Sequence, residues 1–372
     1  MPEFRALVDR EQMLDAFAVA ASVASPRSPK PILQNVLMTA TESGATLSAT
    51  DMEIGVRREV LGVKSDGGGS VVLPAARFGS ILRSCGDDEL SIDADDGRIV
   101  VKGLQSSFTL SSDDPELFPA VNGFDAKGWI VVAPGDLRKL IRRTVFCCNP
   151  TEMRYAMGGV LFDARGDRLR CVSTDGKRLA VMECDIEREG ELPEPGLPVV
   201  PVKAIKLIEK SIEDDGPPLH LAFTGRSVFV RTENATITSR LVEGKFPQYE
   251  QVFPKATPVV VNVGVAAFRS AVEQSSIVTT EESRSVEFKF GSGLMRLSSQ
   301  SADTGSSIVD VPIGHDGPDV GFLASPVLLS EVLRTIPDDE SVNVEIVGDK
   351  AVIGIKSLDG YSYYVSPMSR DK

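Results

Sequence analysis

Residues Met157–Cys184 read MGGVLFDARGDRLRCVSTDGKRLAVMEC. Apolar and polar residues alternate along this stretch, with breaks at Gly166-Asp167 and Asp175-Gly176. A period of two interrupted by Gly and Asp is the pattern of half-buried antiparallel strands joined by tight turns. The pattern returns at Ile32–Val60, ILQNVLMTATESGATLSATDMEIGVRREV, and at Val286–Val311, VEFKFGSGLMRLSSQSADTGSSIVDV. The copies recur at a period of roughly 125 residues, far longer than a solenoid unit, and therefore form a repeat of whole domains.

Each copy opens with a strand leading into a helix: Phe4–Val8 into Met13–Val23, Trp129–Val132 into Leu137–Phe146, and Val259–Val263 into Ala266–Val278. The second half of each copy repeats the scheme. Val71–Cys85, Pro198–Asp214 and Val320–Asp338 each join a short strand to a helix, and Glu89–Ser112, Leu219–Val242 and Val342–Val365 alternate again. The expected fold is α+β, with three similar domains at 1–126, 127–256 and 257–372, each of two antiparallel sheets with two helices on one side. Asp51, Asp175 and Asp303 fall at matching places near turns. Recurrence in otherwise dissimilar surroundings favours bonds to local backbone amides over a catalytic role.

The five cysteines, Cys85, Cys147, Cys148, Cys171 and Cys184, form no CxxC pair and no dense disulfide framework. They read as reduced residues of a cytoplasmic protein. The two histidines, His220 and His315, have no ligand-spaced neighbour, so neither a metal nor a cofactor is expected. No apolar run approaches the roughly 20 residues that span a bilayer, and no membrane association is expected. Walker, GxSxG and HExxH motifs are absent, and the glycine run Gly67–Ser70 reads as a turn, which argues against an enzyme.

Five stretches carry a resemblance: KPILQN at Lys30–Asn35, RYAMGGVLF at Arg154–Phe162, STDGKRLAV at Ser173–Val181, SRLVEGKFPQY at Ser239–Tyr249 and YYVSPM at Tyr363–Met368. In this order, on a threefold repeat, they resemble the bacterial sliding clamp family, the beta subunit of the replicative DNA polymerase III. The resemblance spans essentially the whole chain. It implies a non-catalytic processivity subunit for DNA replication, built as a head-to-tail homodimeric ring with helices lining a central hole that encircles duplex DNA. The implied partners are the polymerase catalytic subunit, the clamp loader and other replication and repair proteins, which dock through short peptides. A peptide-binding repeat scaffold that does not encircle DNA is the alternative.

A net charge of −13 excludes a uniformly basic nucleic-acid binder, so distribution matters. Arg138, Lys139, Arg142 and Arg143 crowd the middle copy's first helix, and Lys203, Lys206 and Lys210 recur on one face of its second. Arg77 and Arg83 stand on the first copy's second helix, while the third copy supplies Arg269 and Arg334 among acids. By resemblance, Arg27 and Tyr155 touch DNA near the rim of the hole; Ala156 stands where the family often has a second tyrosine. A sliding protein contacts phosphates and not base edges.

The resemblance also implies a partner-peptide pocket. Met157, Thr174, Gly176, Arg178 and Leu179 would supply one wall, Pro247 and Val252 a second, and Tyr364, Val365, Pro367 and Met368 a third. Lys177, Gln251 and Ser366 depart from the family pattern there. An apolar chain end asks for a docking surface, since termini otherwise fray. Phe108 and Leu110, on an expected edge strand, and Ile277 and Val278, after an expected helix, match the family's dimer interface.

Overall fold

The alternation seen in sequence becomes burial. In the first strand, Phe4, Ala6 and Val8 turn inward while Arg5 faces solvent. The computed structural model describes residues 4–369 apart from 43, 96, 152–154, 192–196, 281–283 and 349. The first copy runs β1 (Phe4–Asp9), α1 (Arg10–Ala21), β2 (Asn35–Thr41), β3 (Gly44–Thr50), β4 (Ile54–Val60), β5 (Lys64–Ser65), β6 (Gly69–Pro74), α2 (Ala75–Ser84), β7 (Glu89–Asp95), β8 (Arg98–Lys102) and β9 (Ser107–Ser111). The middle copy follows as β10 (Gly128–Val132), α3 (Pro134–Thr144), β11 (Gly159–Arg165), β12 (Arg168–Thr174), β13 (Arg178–Asp185), β14 (Glu187–Gly190), β15 (Val199–Pro201), α4 (Val202–Ser211), β16 (Leu219–Thr224), β17 (Ser227–Arg231) and β18 (Ala235–Arg240). The third is β19 (Val259–Gly264), α5 (Val265–Ser276), β20 (Val286–Gly291), β21 (Leu294–Ser301), β22 (Gly305–Pro312), β23 (Val320–Ala324), α6 (Pro326–Leu333), β24 (Ser341–Ile346), β25 (Ile353–Ser357) and β26 (Ser362–Val365).

Helices begin a few residues before the apolar periodicity suggests. Asp9 explains one case: its carboxylate accepts from the Gln12 amide at 2.9 Å and caps α1. In α3, Asp136 sits in the first turn and Arg142 and Arg143 in the last, matching the helix dipole. Within each copy the first strand of one half joins the sheet of the other half. Thus β1 pairs with β7 and β6 with β2, and β10 with β16, β15 with β11, β19 with β24 and β23 with β20 repeat the exchange.

Two compact units emerge, and neither coincides with a single repeat. One comprises Met1–Gly135, Ile186–Glu194 and Lys203–Leu241. It holds the five-stranded sheet β5-β1-β7-β8-β9 and the nine-stranded sheet β14-β10-β16-β17-β18-β4-β3-β2-β6. The other comprises Asp136–Asp185, Pro195–Val202 and Val242–Lys372, with the eight-stranded sheet β15-β11-β12-β13-β26-β25-β24-β19 and the four-stranded sheet β22-β21-β20-β23. The largest sheet in each unit is a fusion of strands from two successive copies. In the first, β18 pairs with β4, setting Ile237 against Val56; in the second, β26 pairs with β13, setting Tyr363 against Ala180. Both seams are antiparallel and use the same two strands of the repeat.

The turn aspartates behave as local anchors. Asp51 accepts from the Glu53 and Ile54 amides at 3.0 and 2.7 Å, and Asp175 from the Lys177 and Arg178 amides at 2.9 and 3.1 Å. Gly176, with φ +86°, supplies the left-handed residue that this turn requires. The third copy departs here. Gln300 pairs with Ser306 where Thr174 pairs with Leu179, so the turn is a residue longer and Asp303 lies exposed in its middle.

Candidate functional site

The residues singled out by sequence fall on separate surfaces of the two units. In the first unit, Lys203, Lys206 and Lys210 are exposed on one face of α4, opposite the buried Ala204, Ile205, Leu207 and Ile208. Lys203 is ion-paired with Asp51. Burial would raise the Asp51 carboxyl, but the bond from Lys203 and those from the Ile54 and Glu53 amides outweigh it and hold it below the usual range. Lys210 donates to the Ala18 carbonyl, and partial burial lowers its pKa. Arg27 and Arg77 are exposed.

In the second unit the basic residues of α3 divide. Arg142 is exposed and Arg138 half-buried, whereas Lys139 binds Asp359 at 2.7 Å. Arg143 does not join a DNA-facing set. It is 2% exposed, donates to Asp359 at 3.1 Å and lies over the Tyr361 ring at 5.0 Å. Its charge serves the fold and is out of reach of a phosphate. Tyr155 is partly exposed at the surface, while Ala156 is fully buried in the apolar cluster described next. Arg154 lies outside the described residues.

The third surface surrounds Leu179. Leu179 and Tyr364 face each other across the β13–β26 seam and join Ala156, Leu161, Val172, Phe246 and Tyr249 in one cluster, with Val252 and Phe253 packed on its edge. Phe253 bridges Tyr249 and Tyr364, with ring centroids 6.0 and 5.3 Å away. The Tyr249 hydroxyl donates to Asp163 at 3.0 Å, which satisfies a buried carboxylate. Thr174 donates to the Arg178 carbonyl and accepts from the Gly176 amide at 3.1 Å. Arg178 is locked by Asp175, by the Phe146 carbonyl and by Glu331, and stacks on Phe146 at 5.2 Å.

Not every expected pocket residue lines an accessible wall. Val365 is fully buried as a rung of β26, between Arg178 and Ile353, and belongs to the sheet core. Met157 is buried, and Pro247 is half-buried beside Phe246. Beyond Val365 the tail is tied down twice, by Ser366 donating to the Lys177 carbonyl at 2.9 Å and by Met368 donating to the Leu323 carbonyl at 2.7 Å. Pro367 and Met368 border an open cavity of 1140 Å³ whose other walls include Phe288, Phe322, Leu323 and Lys350. Phe246, Tyr249 and Phe253 are functional candidates that sequence reading passed over, although Phe246 and Tyr249 lie inside the quoted SRLVEGKFPQY stretch.

Phe108 and Leu110 lie on β9, an outer strand of the five-stranded sheet, with Phe108 half-buried and Leu110 buried. Ile277 caps α5 and is 77% exposed; Val278 is half-buried. The β22 edge of the four-stranded sheet exposes Ile308, which sequence reading did not select. No group of three or more potential metal-ligating side chains occurs among the described residues. No described helix is long and apolar enough to cross a membrane.

Residues 4–122 match the family model of the DNA polymerase III beta subunit, N-terminal domain, and residues 132–248 match that of its central domain. The chain belongs to the DNA polymerase III beta subunit family. Members are sliding clamps, processivity factors and not catalytic enzymes. A beta sliding clamp of Pseudomonas putida is 28% identical over 372 residues, covering 97% of this chain and 98% of the relative. One from Caulobacter vibrioides is 29% identical over 330 residues, covering 86% of this chain and 88% of the relative. Among solved structures, a Pseudomonas aeruginosa sliding clamp bound to griselimycin is 26% identical, with TM-score 0.89 over 99% of this chain and 100% of that one. The Thermotoga maritima beta subunit, 23% identical with TM-score 0.89 and the same coverage, shares the fold.

Proposed function

We propose that two copies of this chain close head to tail into a ring around duplex DNA, slide on it through phosphate contacts, and recruit partners through short peptides held beside Leu179. The observation that carries this reading is the repeated seam. In both units, the last strand of a copy's first half pairs with the last strand of the next copy's second half: β4 with β18, and β13 with β26. The third copy's β22 and the first copy's β9 are the two strands of this kind that the seams leave over, and both are sheet edges. Edge strands are ordinarily blunted by charge, proline or bulges. Here β9 reads SFTLS, and β22 exposes Ile308 at 68%.

Register follows from the two seams. Phe108 occupies the place of Ile237 and Tyr363, each being the partner of the inward residue of the preceding strand, Val101, Val230 and Ile355. Ser307 occupies the place of Val56 and Ala180. A second copy would therefore set its Phe108 against Ser307 of the first, with Ile277 and Ile308 covered nearby. Such a head-to-tail contact between unlike surfaces gives a closed ring when its rotation closes.

Lys203, Lys206, Arg142, Arg77 and Arg27 supply exposed positive charge for phosphates on a chain of net charge −13. The acidic remainder disfavours DNA elsewhere. Partners would be the polymerase catalytic subunit, the clamp loader and other replication and repair proteins, in the cytoplasm. The three repeats, divided at 126/127 and 256/257, would act as the domains.

Light scattering combined with retention on circular duplex DNA tests the reading. The expected results are a dimer mass at micromolar concentration, a monomer for the Phe108→Asp, Ile308→Asp variant, and release when the loaded circle is cut. A monomeric parent, or equal loss from intact and cut circles, would overturn it.

A further inference from the structure

Val19, Arg143 and Gln274 hold the same place in the repeat, each being the tenth residue of its copy's first helix, α1, α3 or α5. Val19 and Arg143 are buried, whereas Gln274 is exposed. The first two lie at the seams. Beside Val19, the Lys210 ammonium at the end of α4 in the next copy bonds the Ala18 carbonyl. Arg143 is enclosed by the next copy, between Asp359 in the β25–β26 turn, the Tyr361 ring and Glu340. Gln274 belongs to the third copy, whose β22 neither seam uses.

The first copy has a cavity at the place where the third copy encloses Arg143. It measures about 330 Å³ and is lined by Ser84, Cys85, Asp87, Ser106 and Phe108, with Leu104, 92% exposed, at its rim. Two pairs of backbone bonds fix the correspondence. The Ser357 amide donates to the Tyr361 carbonyl at 3.2 Å and the Gly103 amide to the Ser106 carbonyl at 2.9 Å, so Ser106 stands for Tyr361 and Leu104 lies in the turn that matches Asp359. The Val265 amide donates to the Glu340 carbonyl at 2.9 Å and the Arg10 amide to the Asp88 carbonyl at 2.8 Å, so Asp88 stands for Glu340, beside Asp87. The ninth positions are complementary. Arg83 of α2 holds the place of Lys210 in α4, and Glu273 of α5 that of Ala18 in α1, so the same relationship between two chains sets a guanidinium against a carboxylate. Within the chain Arg334 reaches one oxygen of Glu273 at 3.5 Å, and a carboxylate has acceptor sites for two guanidiniums.

We infer that ring closure seats Gln274 of one chain in this cavity of its partner, with Glu273 beside the partner's Arg83. The inference rests on the ring reading above and names the side chain that fills the joint. An amide suits the lining, because it donates through two N–H groups and accepts on its oxygen, against the Asp87 carboxylate and the Ser84 and Ser106 hydroxyls. In the single chain one of those N–H groups bonds the Ser270 hydroxyl at 2.9 Å, an exposed contact that closure exchanges. The joints within the chain are filled by an apolar side chain and by a guanidinium paired with carboxylates. Withdrawing Arg143 would strand buried charge, whereas withdrawing a neutral amide strands none. The joint between chains is therefore the one built to part and admit DNA.

The test uses the full chain, with the dimer dissociation constant measured by light scattering over a dilution series. Gln274→Glu sets a carboxylate against Asp87 and should raise the constant about fivefold, whereas Gln274→Lys should lower it about threefold, the range of one solvent-accessible ion pair. In an Asp87→Asn background the two variants should converge. Arg83→Glu combined with Glu273→Arg should dimerise more tightly than either reversal alone. Gln274, Arg83 and Glu273 are exposed in the single chain, so urea unfolding should not change, and a tightening cannot arise from misfolding. A dimeric parent whose constant is shared by the Glu and Lys variants overturns the seat and leaves the ring intact. A gap between those variants that Asp87→Asn leaves whole does the same. A monomeric parent overturns both.

Discussion

Arg143 and Asp359 stand 216 residues apart in sequence and 3.1 Å apart in space, and the guanidinium that joins them is almost wholly enclosed. One of its nitrogens, Nη1, is buried without a hydrogen-bond partner, as is the hydroxyl of Tyr361 beneath it. Removing one member of a buried ion pair leaves the other charge uncompensated and costs about 3 kcal/mol or more. Asp359 retains Lys139 and Ser357, so Arg143→Ala should fall near the lower end, about 3 kcal/mol in urea unfolding. Retention of the folded variant on DNA should match the parent. A variant of unchanged stability and weakened DNA retention would return Arg143 to the DNA-facing set.

The same cluster predicts a pH dependence. Burial would raise the Asp359 carboxyl, but bonds from Lys139 and Ser357 and the charge of Arg143 prevail and hold it below the usual carboxylate range. A carboxyl depressed in the folded state stabilises the fold fully above its unfolded value and loses that contribution as pH falls through the folded one. Asp359→Asn should therefore lower Tm at neutral pH, and the gap to the parent should close as pH falls below about 4. A gap that stayed constant from pH 7 to 3 would rule out the carboxylate as its source.

Local pattern carried the repeated strand and helix order, because alternation and helical spacing are read within a few residues. It did not carry the sheet fusions. Pairing β18 with β4 or β26 with β13 depends on partners more than a hundred residues away, and nothing in Thr236–Ser239 marks Ile54–Arg57 as its neighbour. Arg143 illustrates the same limit. It sits beside Arg142, three residues after the buried Leu140, and the groups that hold it, Asp359 and Glu340, lie about two hundred residues away. Tyr364, Val365, Pro367 and Met368 read in sequence as an apolar end in need of a docking surface. Tyr363, Tyr364 and Val365 are buried in succession because both faces of the inner strand β26 are covered, Tyr364 packing in the Leu179 cluster and Tyr363 stacking on Phe146.

Thiol chemistry offers an independent check on burial. Cys147 and Cys171 are fully buried, and burial pushes the Cys148 and Cys184 thiols up to about 12. The thiolate is the nucleophile, so these four should react with iodoacetamide at neutral pH much more slowly in the folded chain than in denaturant. Cys85, half-buried near the Ser106 hydroxyl, should label first. Rapid labelling of Cys148 in the native protein, located by peptide mapping, would contradict the packing around α3.

The Leu179 cluster gives the last prediction, and the structure dictates which variants can test it. Leu179 is 2% exposed and pairs with Tyr364, so Leu179→Asp would bury a carboxylate and damage the fold itself. A deletion starting at Val365 would likewise remove a rung between β13 and β25. Deletion of Ser366–Lys372 spares β26 and removes Pro367 and Met368 with the two tail bonds to Lys177 and Leu323. A short peptide binds by burying one or two large apolar side chains, each contributing roughly 1.5 to 3 kcal/mol. Met is well suited to such contacts because its flexible thioether adapts to differing partners. Losing the Met368 wall, with Val252→Asp at the half-buried edge of the cluster as a second variant, should weaken a polymerase tail peptide by about tenfold or more, equivalent to about 1.4 kcal/mol. Dimer mass should persist, since β9 and β22 are untouched. Fluorescence anisotropy and light scattering on the same samples decide the matter. Unchanged peptide affinity in both variants, with the dimer intact, would move partner recruitment away from the Leu179 cluster.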